Sequence, residues 1–391
     1  MHYRRYHLRY DVKFKGPWDV IESGKKLFQV LRERNLEFAA HSFDCRPPPP
    51  FAGGDVWLLA ALLQKAIRRG DLVVARRAGH QLLEVDPARV WRRLMVVALE
   101  DIGFGCPESA VALVGFSCLP ELRRLVGGNG LALDIALRLG CEAVKDRSGD
   151  DFCSIAREMA GEPHSLDQAS ANARHAVLAS TYLDWRRRLK AAQLLSEIEA
   201  RAAERASAFA PAAEIYRALG VPDSFMDACE VYRFKACDPL PLFVPLACSL
   251  WLGQGSPRAT LTHLLPPAAM IGEIPDYGFD PLHTRLGRRA VDLWLRSYLE
   301  RPPFTAGQVA AALWIIESGA CSKTLSWSLG AQIGEQAVLA DVGRHGLHGF
   351  EGVKAWIEQE RSVLTCARKA AWESASHRPL DRQGVLPLAA E

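Results

Sequence analysis

The chain has no stretch of about 18 uninterrupted apolar residues, the length a membrane-crossing helix needs, so no membrane span is expected. Its opening, MHYRRYHLRYDVKFKG, lacks the apolar core of a secretory leader. Ten cysteines are present, yet no Cys-x-x-Cys occurs, and Cys45, Cys106, Cys118, Cys141, Cys153, Cys229, Cys237, Cys248, Cys321 and Cys366 are scattered. That scatter argues against a disulfide framework or a zinc ribbon. Several of these cysteines lie in apolar stretches, where a free thiol packs as a small hydrophobe. A reduced, cytoplasmic protein is the expectation. Charge of one sign is also missing: 48 basic against 45 acidic side chains leave +3. A dedicated nucleic-acid-binding domain is usually more basic, so local arginine clusters matter more here than the sum.

A nucleotide-binding loop is absent as well. Gly24-Lys25-Lys26 has Asp19 where the first glycine belongs and Lys26 in place of the hydroxyl, while Ser322-Lys323-Thr324 lacks both glycines. Val96 to Asp101 imitates the apolar run and acid of a Walker B strand but continues a helical pattern opened at Pro87. The chain is therefore not expected to hydrolyse ATP by itself, and no cofactor or metal is implied. His345-Gly-Leu-His348 lacks an acid at zinc-protease spacing, and Gly115-Phe-Ser117 lacks the closing glycine of a nucleophile elbow.

Alternating strand patterns are nearly missing, which leaves an all-α protein: a multi-helix array with a short extended N-terminal segment. Residues 1–46 combine an aromatic–basic arm (Tyr3, Arg4, Arg5, Tyr6, His7, Arg9, Tyr10) with a helical pattern over Trp18–Phe38. The arm suits either an edge strand or single-strand stacking. Pro47 to Pro50 form a linker that no helix crosses. Asp55 caps a predicted helix through Arg69, Gly70-Asp71 starts another over Leu72–Glu84, and Asp86-Pro87 opens a third through Leu99. Pro107 opens a fourth, Leu131–Val144 and a segment ending at Ala160 follow, and a long run covers Asp167–Ala208. Pro211, Gly220-Val221-Pro222 and Pro239-Leu240-Pro241 mark further helix ends. After a proline-containing loop region, 264–281, come helices over Leu282–Leu299, Thr305–Glu317 and Phe350–Trp372. The divisions read this way are 1–46, 52–165, 166–263, 264–375 and an irregular tail 376–391. Trp251, Trp294, Trp314, Trp327 and Trp356 sit in apolar patterns and are expected in the core.

Two ordered blocks stand out, Leu63-Gln-Lys-Ala-Ile-Arg68-Arg69-Gly-Asp71 and Arg92-Arg93-Leu-Met-Val-Val-Ala-Leu-Glu100-Asp101-Ile-Gly103. They resemble the helical C-terminal region of the RarA/MgsA replication-associated recombination ATPases. The similarity covers Trp57–Glu108 and extends more weakly to Cys153. In that family the region is helical and mediates oligomerisation beside a AAA+ motor. The motor has no counterpart here, nor do the residues after about 165. The resemblance implies a non-catalytic accessory protein of DNA replication, recombination or repair, acting through homo-oligomerisation and docking on DNA or on replication and recombination proteins.

The arginine pairs agree with that expectation. Arg68, Arg69, Arg76 and Arg77 flank one turn and could meet on one surface, with Arg92 and Arg93 as further phosphate contacts. The alternative is a solvated helix surface whose arginine stems cover apolar neighbours. Glu100 and Asp101, near a helix C-terminus, oppose the helix dipole and so require a partner from Arg92, Arg93 or a neighbouring helix. They fit a structural role better than a catalytic one. A rival function rests on Asp276, Asp280, His283 and Arg285, where carboxylate, imidazole and guanidinium could act on a phosphate-containing substrate. There Asp280-Pro281 would open a helix, and in the structural reading Arg285 would pair with Asp280. A helical scaffold binding only proteins is the third reading.

Overall fold

The computed structural model describes residues 46–52, 55–160, 164–200, 205–235, 239–254, 259–262, 268–298, 302–318 and 321–376, together with Gln29. The chain is an all-α multi-helix array with very little strand. The expected extended N-terminal arm and the irregular tail beyond Ser376 lie outside the described residues.

Helices α1 (Val56–Arg69), α2 (Leu72–Val85) and α3 (Pro87–Val97) start where side-chain carboxylates replace missing backbone partners. Asp55 accepts from Leu58 N at 2.7 Å, Asp71 from Val74 N at 3.1 Å and Asp86 from Arg89 N at 3.0 Å. α1 ends at Gly70, whose φ of 72° turns the chain back so that α2 packs along α1. α3 does not run on to Leu99 as a regular helix; it widens into a π turn, Ala98–Ile102, followed by a tight turn, Gly103–Gly105. Helices α4 (Pro107–Cys118), α5 (Pro120–Leu125), α6 (Asn129–Glu142) and α7 (Ser148–Met159) complete this part.

The long run expected over Asp167–Ala208 is broken. It forms α8 (Ala171–Ala179), α9 (Trp185–Ala200) and the start of α10 (Arg205–Ala218). The Asp184 carbonyl accepts Arg187 N at 3.1 Å and so opens a new helix, while Arg188 Nε ties back to Leu178 O at 3.1 Å. Pro211, expected as a helix end, lies inside α10, and Ala212, Ala213 and Tyr216 after it are buried. Here packing outweighs the backbone bond the proline removes. α11 (Asp223–Lys235) and the nearly all-apolar α12 (Leu240–Gly253) follow; α12 is buried between α7, α9 and the tight turn after α3.

Two small antiparallel pairs were not legible as strands: β1 (Ala259–Thr262) with β4 (Lys323–Ser326), and the hairpin β2 (Met270–Ile271) with β3 (Ile274–Pro275). The C-terminal helices are α13 (Arg285–Arg296), α14 (Ala306–Ser318), α15 (Ser328–Arg344), α16 (Phe350–Gln359) and α17 (Arg361–Ser376). α15 was not expected, because Gly330, Gly334 and Gly343 dilute its helical pattern. The single helix read over Phe350–Trp372 breaks at Glu360, which lets α17 lie along α13. One apolar core runs from Phe51 to Trp372 and so crosses the divisions at 165 and 263; a second lies between α13, α14, α16 and α17. Among the described residues no helix is long and apolar enough to cross a membrane.

Candidate functional site

Helix α1 turns polar side chains toward the interior. Gln64, Lys65 and Arg68 are all buried despite their polarity. Burying such groups is costly unless each finds a partner; the π turn after α3 supplies partners for Gln64 and Arg68, while Lys65 turns to Asp280. In a regular helix neighbouring side chains diverge by about 100°. Within the wider π turn, Glu100 and Asp101 instead converge on the same guanidinium. Arg68 Nη2 donates to Glu100 Oε1 at 2.7 Å, and Arg68 Nε donates to Asp101 Oδ1. Gln64 Nε2 donates to Glu100 Oε1 at 2.8 Å and to Asp101 Oδ2 at 3.0 Å, while its own Oε1 accepts from Arg93 Nη1 at 2.8 Å. Arg147 Nε approaches Asp101 Oδ1 at 3.6 Å, and Arg147 also pairs with Asp150.

Gly103 permits the turn that follows. Its φ is 52°, and a Cβ there would lie 2.6 Å from the Asp146 carbonyl oxygen. This close approach brings the 145–147 segment against the π turn, with Asp146 N donating to Ile102 O at 3.1 Å. Lys145 has no exposed surface; its Nζ donates to Cys141 O at 3.0 Å and Ala143 O at 2.7 Å, closing the C-terminus of α6. Asp146 accepts from Ser148 N at 3.0 Å and from Trp327 Nε1 at 3.2 Å. Strand β4 threads through the same place: Leu325 N donates to Lys145 O at 2.8 Å, and Ser322 N, just before the strand, donates to Arg68 O at 3.0 Å.

Electrostatics follow from this burial. Burial, with Asp150 and Asp101 nearby, pushes Glu100 up to about 7 against the opposing Arg68 and Arg147. Burial likewise lifts Asp151 to about 7, with Asp150, Asp146 and Asp341 adding to it against Arg147. Burial raises Asp146 to about 6, tempered by its bonds to Ser148 and Trp327. Burial opposes the charge on Arg68, but Asp101 and Glu100 overcome it and hold the guanidinium more firmly protonated than usual. The cluster is a buried guanidinium–carboxylate lock whose carboxyls hold their protons to higher pH than they would in water. Among the described residues no group of three His, Cys, Asp or Glu side chains could hold a metal ion.

Of the six arginines expected on DNA, one is buried and four others have partners within the fold. Arg68 and Arg93 belong to the lock. Arg69 lies over the Tyr277 ring, 4.8 Å from its centroid. Arg76 donates to Asp134 Oδ1 at 2.8 Å, an oxygen that also meets His80 Nε2 at 2.9 Å. Arg77 donates to the carbonyls of Pro49 at 2.7 Å and Pro50 at 2.9 Å and pairs with Glu273. Arg92 is the exposed member of the set. Burial and internal partners are the stronger attraction, because each carboxylate needs a cation inside the fold.

The Asp276–Arg285 group is likewise brought together only in part. Asp280 is buried and its Oδ2 lies 3.1 Å from Lys65 Nζ and 3.2 Å from His283 Nδ1. Burial alone would raise its carboxyl, but His283 and Lys65 hold it well below the ordinary carboxylate range. Asp276 lies half-buried in the tight turn after β3, and Arg285 is exposed rather than paired with Asp280. Asp280 does not open a helix. It accepts from Leu282 N at 2.9 Å within a turn, and Thr284, accepting from Gly287 N at 3.0 Å, caps α13. Sequence reasoning missed Gln64, Lys65 and the Lys145–Asp151 segment as partners. The available signal was polar side chains at Gln64 and Lys65 on an otherwise apolar helix face. Comparison of the chain with protein-family models, with curated proteins and with solved structures finds no match.

Proposed function

We propose that the chain is a non-catalytic, cytoplasmic accessory factor for DNA replication, recombination or repair, acting by self-association and by docking on DNA or partner proteins. The observation that carries this reading is the joining of the two sequence blocks that resemble the RarA/MgsA helical region. Gln64 and Arg68 come from the first block, and Arg93, Glu100 and Asp101 from the second, and all five meet in one lock. Their side chains tie α1 to the turn after α3, the two parts of the chain that carry the resemblance. Trp57, Val73 and Val85 on α1 and α2 remain exposed, at 49%, 76% and 55%, and give self-association apolar anchors. Arg285 is exposed while Asp280 is buried on Lys65 and His283, which weighs against the rival phosphate-ester enzyme, since a catalytic set has to converge.

Light scattering of the purified protein, alone and with single- and double-stranded DNA over a salt series, tests the reading. A particle larger than one chain that gains mass with DNA at low salt is expected. A monomer that binds neither DNA form, or measurable turnover of a phosphate ester, overturns it.

A further inference from the structure

We propose that the outer face of α13 is the surface that takes the phosphate backbone of nucleic acid; this rests on the accessory reading above and names its DNA-contacting site. Arg285, Arg288, Arg289, Asp292 and Arg296 are exposed, while Leu286, Gly287, Ala290, Val291 and Trp294 are buried. At about 100° per residue, the five exposed side chains fall within an arc of about 100° along one face. At about 1.5 Å rise per residue, Arg285 and Arg296 stand about 16 Å apart, a span that covers several successive phosphates. His283, 60% exposed, extends the stripe at its start.

The helix is held rigidly beneath these arginines. Trp294 stacks on Trp356 with ring centroids 4.5 Å apart, and α17 lies along the buried face. Gly287 lets the first turn press against the Asp280 backbone, where a Cβ would meet the carbonyl oxygen at 2.4 Å. Among the described residues no carboxylate forms an ion pair with Arg285, Arg289 or Arg296, whereas Arg68, Arg76, Arg77 and Arg147 all have one. Arg288 donates to Leu282 O at 3.2 Å and keeps its remaining donors toward solvent.

Two features favour nucleic acid over an acidic protein. The stripe contains no exposed apolar or aromatic side chain, whereas protein interfaces are anchored by such groups at their centre. Every fixed cation in it is arginine, whose forked donors fit phosphate oxygens. It also lacks asparagine and glutamine to read adenine and aromatic side chains to stack on bases, so the proposal assigns its arginines to backbone phosphates.

Fluorescence anisotropy with labelled duplex and single-stranded oligonucleotides of mixed sequence, titrated over a salt series, provides the test. With four arginines engaged, the slope of log K against log salt reaches about −3.6 on duplex and about −2.8 on single strands. Replacing Arg285, Arg289 and Arg296 together by Gln flattens the duplex slope by about 2.7 and weakens low-salt binding at least about tenfold. Asp292→Asn removes the one acid in the stripe and tightens binding. Thermal melts matching wild type confirm that these exposed substitutions leave the fold intact. Unchanged affinity and slope in the triple variant overturn the α13 surface and leave the accessory reading standing. Failure of the wild-type protein to bind either DNA form overturns both DNA claims, while self-association without DNA points to a protein scaffold. Polyglutamate bound in preference to DNA, and lost in the triple variant, assigns the face to an acidic protein instead and overturns the proposal.

Discussion

Arg68→Met should be among the most damaging single substitutions on α1. The change keeps much of the buried stem and removes the guanidinium. Asp101, with no exposed surface, then loses its closest cation, and Glu100, whose side chain is 22% exposed, loses a 2.7 Å bond. Breaking a buried ion pair by deleting one partner costs about 3–5 kcal/mol. Gln64 still donates to both carboxylates and Arg147 stands 3.6 Å from Asp101, so the expected loss lies near the bottom of that range. Urea unfolding reads it directly: with a slope of about 3 kcal/mol/M, the midpoint falls by about 1 M. Arg68→Lys restores the charge without the fork and recovers part of the loss. Arg92→Ala, on the exposed side of α3, serves as the comparison and should stay within about 0.5 kcal/mol. If Arg68→Met is as mild as Arg92→Ala, the lock does not stabilise the fold, and Arg68 has to be reconsidered as a surface contact.

Three other perturbations probe the same region and the proposed surface. Between about pH 4.5 and 7 the folded chain holds protons on Glu100, Asp151 and Asp146 that the unfolded chain has released, so stability should fall as pH rises through that window. The Glu100 contribution is at most about 3 kcal/mol; thermal melts from pH 5 to 8 should show the decline and Glu100→Gln should reduce it, and a stability that rises with pH would contradict the assignment. Gly103→Ala, forced to φ 52° with its Cβ against the Asp146 carbonyl, should cost at least about 2 kcal/mol in urea unfolding; a neutral result would mean that the π turn and the 145–147 segment do not pack so closely. Replacing the three α13 arginines should spare stability while flattening the salt dependence of DNA binding, the opposite pattern to Arg68→Met.

Much of the helical order was legible because its punctuation is local. Asp55, Asp71 and Asp86 each cap the helix that the sequence assigns to them, and Gly70 adopts the left-handed turn that ends α1. What escaped depends on contacts distant in sequence. The π turn forms where Glu100 and Asp101 must both reach Arg68, and nothing in Ala98–Ile102 alone forces the extra residue into the turn. Strand β4 exists because Lys145 and Ala259–Thr262 offer it backbone partners. Arg68 and Arg285 illustrate the same limit for the site. Both read as arginines beside a turn, yet one is 5% exposed and spent on carboxylates while the other faces solvent, and only the tertiary structure separates them.

The most direct measurement is arginine-selective dicarbonyl modification of the folded protein, with and without DNA, read residue by residue by mass spectrometry. Arg68 should stay unreactive under both conditions, and Arg285, Arg289 and Arg296 should react freely in the protein alone and be protected by DNA. Reaction of Arg68 in the folded protein, or DNA protection of Arg69, Arg76 and Arg77 while the α13 arginines remain unprotected, would contradict the account.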